Sequence, residues 1–182
     1  MDASTQFWRA TNMPYAESRR ACQSRACYKP HSHPTFSIGA VDQGTSHFTG
    51  ASSGPVALHA GTVVFVPVSR VHACNPAPDT SWSYQMLHLD AAWLRAVRQE
   101  YGSTGAENAG NEPVRIVAEP VIYERFCRLN ALLFSDADSR DKDTALIEFV
   151  GDCDAAQGLC IDAPVVSSRL SERPRPVFDF LR

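Results

Sequence analysis

The chain has 182 residues, is 44% hydrophobic and 20% charged, and carries a formal net charge of −3 with a pI near 6.0. That length holds one domain with a real core, or a domain plus a small appendage. Nothing in this balance suggests a basic surface for nucleic acid or for an anionic membrane, so if the chain serves a DNA-binding protein the DNA contacts are expected outside it.

Residues 1–30 form a lead-in with one or two strands. Met1 to Gln6 is polar, with no charged stretch followed by an apolar one, so no signal peptide is visible. No apolar run approaches the ~18 residues of a membrane span. A cytoplasmic location is expected, with reduced thiols at Cys22, Cys27, Cys74, Cys127, Cys153 and Cys160. Phe7 to Ala10 is a short amphipathic start, and Ala21 to Tyr28 could pair as an outer strand.

From His31 to Leu89 the signals are β. Phe36, Ile38 and Ala40 alternate with Ser37, Gly39 and Val41. Asp42-Gln43-Gly44-Thr45 is a turn, and Ser46 to Thr49 is the returning strand. A turn at Ala51 to Pro55 leads to a short strand at Val56 to His59. Ala60-Gly61 then turns into Thr62 to Val66. Asn75 to Asp79, with two prolines, is expected to be a loop. Trp82, Tyr84, Met86 and His88 alternate with Ser83, Gln85, Leu87 and Leu89. Strands at this spacing, punctuated by Gly and Pro, predict a sandwich or barrel.

After Asp90 the character changes. Asp90 caps a helix through Ala91 to Val97. Gly102 to Asn111 is a polar loop and a boundary. Pro120 opens a second helix, with Val121, Tyr123, Phe126, Leu129, Leu132 and Leu133 near helical spacing. Asp138 to Asp141 leads into a third, whose apolar side is Ala145, Leu146, Phe149 and Val150. Ala163 to Pro176 is a linker. Val177 to Arg182 is apolar at helical spacing but too short to bury that side, which predicts a chain cut just inside a following domain.

Three histidines form the candidate metal set. His31-Ser32-His33 can place both rings on one side of a strand. His72 can return to that pair only if the strands close on each other. Imidazoles suit zinc, iron, copper or nickel. No Asp or Glu lies between Pro34 and Val41, so a three-histidine site completed by water stands beside a second reading, in which the rings are hydrogen-bonding groups of a pocket. Trp82, Tyr84 and Met86 share one face, either as core packing or as the wall of a small-molecule pocket. His47, His59 and His88 are isolated and read as surface groups. Cys74 reads as a small buried hydrophobe, with metal ligand or redox-sensitive thiol as alternatives. Neither a Gly-x-Ser-x-Gly elbow nor a phosphate-binding glycine loop is present. The helices at 120–134 and 139–155 pack on the barrel, and Tyr123, Leu129, Leu132 and Leu133 are candidates to face a second subunit.

The ordered set His31-x-His33-Pro34, Phe36-Ser37-Ile38-Gly39, Gln43-Gly44, Ala60 to Pro67, Val71-His72-Ala73-Cys74-Asn75-Pro76 and Trp82 to Leu87 resembles the N-terminal sensor domain of AraC-type transcriptional regulators. The likeness is best over about residues 25–100. It implies a mainly β, cupin-like double-stranded β-helix barrel followed by a helical dimerisation segment. It divides the chain into a barrel with its closing helix (1–111), a dimerisation region (112–162), and a linker with the start of a DNA-binding domain (163–182). It implies a small-molecule effector held by His31, His33, Phe36, His72, Trp82, Tyr84 and Met86, a non-enzymatic role and a homodimer. DNA would be contacted only through helix-turn-helix units absent from this sequence. No cofactor is expected, with a transition metal (zinc, iron or nickel) on His31, His33 and His72 as the open option. The same motifs resemble metal-dependent cupin enzymes, oxygenases or isomerases, which carry a Glu after the histidine pair where this chain has none.

Overall fold

The computed structural model describes residues 3–50, 54–101, 112–156 and 158–161. The loop expected at Gly102 to Asn111, part of the turn at 51–55, the linker and the terminal apolar segment lie outside the described residues. Within them, seven strands form one antiparallel sheet. In spatial order these are β1 (Ser4–Arg9), β2 (Ala16–Ser24), β8 (Trp82–Leu89), β3 (Phe36–Gln43), β6 (Val63–Val66), β9 (Val114–Val117) and β10 (Leu159–Ile161). A smaller sheet runs β5 (Val56–His59), β4 (Thr45–Thr49), β7 (Ala73–Pro76). Three helices come after β8, with β9 between the first two and β10 after the third: α1 (Ala91–Glu100), α2 (Pro120–Leu133) and α3 (Ser139–Ala155). The molecule is the expected mainly β barrel with helices appended.

Alternation decides which residues face which layer. In the pairing of β3 with β8, Ser37 opposes His88, Gly39 opposes Met86 and Val41 opposes Tyr84, while Phe36 opposes Leu89 and Ile38 opposes Leu87. Cross-strand partners share a face. The second set therefore points at the helices, where Ile38, Leu87, Leu89, Phe126 and Leu146 are all at most 1% exposed. The first set points at the small sheet, where Val41, Trp82 and Tyr84 pack with Phe48 and Leu58. Each fully buried apolar side chain contributes about 1.5–3 kcal/mol.

The helices dock by stripes. In α2, Ile122, Phe126, Leu129 and Leu133 recur at helical spacing and are buried. In α3, Leu146, Phe149, Val150 and Cys153 do the same, and the Phe126 and Phe149 rings stand 5.5 Å apart. Asp90 caps α1 by accepting the amides of Ala92 and Trp93, as expected, and Asp138 caps α3 through the amide of Arg140. Arg98 of α1, 4% exposed, binds Asp154 of α3 and Glu112 at 2.8 Å each. Its guanidinium lies 5.2 Å from the centre of the Phe36 ring.

Several expectations need correction. β2 is not an outer strand, because β1 covers its other side. The segment expected as a loop from Asn75 begins inside β7, where Pro76 ends an edge strand without breaking a ladder. β9, a strand not expected from the sequence, pairs with β6 and extends the large sheet beyond residue 111. Leu129 and Leu133 are core residues rather than a free stripe, and Tyr123 donates its hydroxyl to Asp42 at 2.9 Å.

Candidate functional site

A cavity of about 90 Å³ lies between the sheets, lined mainly by the inward face of β8 and β3 and by the chain that crosses toward the small sheet. Gly39 forms part of its floor: a Cβ there would stand 2.8 Å from the Met86 sulfur and 3.3 Å from Val64. Val64 and Val66 of β6, with Leu58 of β5, supply apolar wall. Residues 25–35 cross the cavity without forming a regular strand. The Asn75 side chain clamps this crossing by accepting the Tyr28 amide at 2.6 Å and donating to the Tyr28 carbonyl at 3.0 Å.

His31 and His72 meet through an antiparallel bridge, His31 N–H to the His72 carbonyl at 2.9 Å and the reverse bond at 2.8 Å. That bridge converges the rings despite their distance in sequence. Ring centres stand 4.9 Å apart for His31 and His33, 4.8 Å for His31 and His72, and 5.4 Å for His33 and His72. His31 Nδ1 is 2.8 Å from the Lys29 carbonyl and His72 Nδ1 is 2.9 Å from the Arg70 carbonyl. A carbonyl only accepts, so each neutral ring carries its proton on Nδ1 and leaves Nε2 with a lone pair. Burial holds the His33 pKa down to about 3, with His88, His72 and His31 adding to the shift. Burial likewise sets His72 at about 4, against the opposing pull of the Arg70 carbonyl.

A fourth imidazole joins them. His88, on the same face of β8 as Trp82, Tyr84 and Met86, stands 4.8 Å from His33, and its Nδ1 is 2.9 Å from Ser37 Oγ. Burial lowers its pKa to about 4, helped by His72, Arg19 and His31. At the other end Trp82 stacks on Tyr84 at 4.2 Å, and Tyr84 Oη is 3.0 Å from Tyr28 Oη.

Of the seven residues expected at an effector, His31, His33, His72, Trp82, Tyr84 and Met86 line the cavity. Phe36 does not: its place in β3 turns it into the core beneath the helices, against Leu89 and Arg98. His88, Arg19, Tyr28 and Cys74 also line the cavity. His88, expected as a surface group, is corrected to a cavity residue because it shares the inward face of β8 with Trp82, Tyr84 and Met86, whereas Arg19 and Tyr28 gave no periodic signal. Burial pushes the Cys74 thiol up to about 12, so it stays protonated and inert.

The donor atoms of His31, His33 and His72 all lie within 4.8 Å of one another, and no carboxylate joins them among the described residues. Two of these rings, His31 and His72, are fixed through Nδ1 to carbonyls, the orientation in which histidine presents Nε2 to zinc, iron or nickel, and the His33 ring converges on them. The three residues therefore fit a transition metal, which would offer an open coordination position to a ligand.

Two facing antiparallel sheets, a cavity between them and helices on the outer face define a cupin-like barrel. The family described as the AraC-like ligand binding domain matches residues 14–150, and the chain belongs to that family. No curated protein matches the chain. Among solved structures, ToxT from Vibrio cholerae shares the fold with a TM-score of 0.50 at 8% identity, over 89% of this chain and 61% of that one. A Cupin 2 conserved barrel domain protein from Salinispora arenicola matches at 21% identity and TM-score 0.41, over 50% of this chain and 77% of its own. A cupin-like protein from Thermotoga maritima matches at 21% identity and TM-score 0.43, over 47% and 67%. No helix among the described residues is long and apolar enough to cross a membrane.

Proposed function

We propose that this chain is the small-molecule-sensing part of an AraC-type transcription regulator, working without catalysis in the cytoplasm, with its effector in the cavity between the sheets. Family membership supports a ligand-sensing regulatory domain. The observation that carries the signalling is the polar bridge from the cavity strands to α2. Ser18 Oγ donates to the Met86 carbonyl at 2.9 Å, and Asn130 Nδ2 of α2 donates to Ser18 Oγ at 2.7 Å. Arg20 Nε donates to Asn130 Oδ1. A second bridge joins Gln85 and Tyr123 through Asp42. Met86 and Tyr84 face the cavity on one side of β8, while Gln85 between them faces α2 on the other. An effector that prefers one placement of this strand shifts the placement of α2.

A homodimer through the helical layer, and DNA contact through helix-turn-helix units outside this sequence, belong to the same proposal and rest on the family resemblance. The alternative is a metal-dependent oxygenase or isomerase on His31, His33 and His72. It rests on the three converging imidazoles and lacks the carboxylate of its motif. Hydrogen exchange, recorded with and without a bound effector, tests the sensing reading. Slowed exchange in α2 as well as in β8 supports it, and slowed exchange confined to the cavity strands refutes the transmission.

A further inference from the structure

The cavity holds an unbalanced positive charge. Among its lining residues Arg19 alone carries a permanent charge, and none is a carboxylate. Among the described residues the Arg19 guanidinium makes no ion pair. It lies instead among rings, 5.5 Å from the centres of Phe7 and Tyr84 and 6.0 Å from that of Tyr28. Its Nη2 donates to Tyr28 Oη at 3.0 Å.

Two donors in this lining have no acceptor. Arg19 Nε and Trp82 Nε1 are both buried without a hydrogen-bond partner, and Trp82 is only 4% exposed. A buried donor left unpaired is costly, so such groups in a binding cavity mark where a ligand supplies acceptors. A guanidinium presents its N–H groups in a planar fork that matches a carboxylate. Leu58, Val64, Val66 and Met86 supply an apolar part of the same lining. A neutral polyol would leave the cation uncompensated and place hydroxyls against this wall.

We propose that the effector is a small carboxylic acid bound as its anion, its oxygens on Arg19 and the Trp82 N–H and its short apolar body against Leu58, Val64, Val66 and Met86. This assignment rests on the reading of the cavity as the effector site. The imidazole cluster lies along the same cavity and offers further donors and acceptors to a ligand substituent.

The test is calorimetric titration of the whole chain with benzoate and isovalerate, with their neutral amides benzamide and isovaleramide, and with glucose. Every titration is run with and without EDTA, so that a carboxylate ligating a metal on the imidazoles is not counted as an Arg19 ligand. At least one acid binds in EDTA, and its amide binds about tenfold or more weakly. Arg19→Met weakens that acid by about 10- to 100-fold and leaves the amide unchanged. Arg19→Lys, which keeps the charge should the methionine variant fail to fold, still prefers the acid over the amide. Trp82→Phe costs a few-fold. If neither acid binds, or an amide matches its acid, the carboxylate assignment is overturned. In that event binding of glucose or an amide, insensitive to Arg19→Met, leaves the sensing reading standing. Silence from all five compounds counts against both.

Discussion

At the scale of single residues, the four imidazoles set the behaviour of the cavity. His33, His72 and His88 have folded pKa values pushed well below 6.5, to about 3, 4 and 4, chiefly by burial. The unfolded chain takes up protons near pH 6.5 while the native cavity does not, so protonation favours unfolding. Metal-free protein is therefore fully stable above about pH 6.5 and loses stability as pH falls toward 4. The urea midpoint should drop between pH 7.5 and pH 5, and a flat profile would show that these rings are solvated. His31, His33 and His72 form the candidate metal site, and zinc uptake tests it. Chelator-stripped protein should take up one equivalent of zinc, and His72→Ala should abolish that uptake; unchanged uptake by the variant would remove His72 from the set. The histidine pair and His72 were legible as partners because their motif spacing implied a closed barrel. His88 was read as a surface group and instead lines the cavity, because the pleat that turns Trp82, Tyr84 and Met86 inward turns His88 inward as well. Phe36 was misplaced because it sits beside the histidine motif in sequence, whereas the pleat assigns it, with Ile38, to the opposite face.

At the scale of elements, the helices were readable from caps and stripes. Asp90, Pro120 and Asp138 mark the starts of α1, α2 and α3. The interior stripe of α2 was also visible, but its destination was not: Leu129 and Leu133 suit a partner subunit as well as the back of a sheet, and only the sheet's position decides. β9 escaped notice because four residues beside a polar loop give too short a period to register. Asn130 was equally silent, since a polar residue on a helix normally faces water. Here it is 1% exposed and joins Ser18 and Arg20. Asn130→Ala leaves Arg20 Nε without its acceptor and Ser18 Oγ without its donor and should cost about 1–3 kcal/mol in urea unfolding. It should also erase the effector-dependent protection of α2 while leaving effector affinity within a few-fold. A variant of wild-type stability would show that the bridge carries no load.

At the scale of the whole molecule, one sheet serves two layers. Its inner face lines the cavity and its outer face seats α2 and α3, so a ligand and the helical layer read opposite sides of the same strands. Barrel closure was legible from the order of motifs, whereas which strand carries the coupling needed the register of β8 between β2 and β3. The central claim is that the effector occupies this cavity, and Gly39 offers the most direct check. A side chain at Gly39 would enter the space held by Met86 and Val64. Thermal unfolding of wild type and Gly39→Val should be measured against a panel of small metabolites. A ligand at 100 times its dissociation constant adds about 2.7 kcal/mol to the wild type. The account predicts that this stabilisation disappears in Gly39→Val while the variant still unfolds cooperatively. Equal stabilisation of both proteins would place the ligand elsewhere and contradict it.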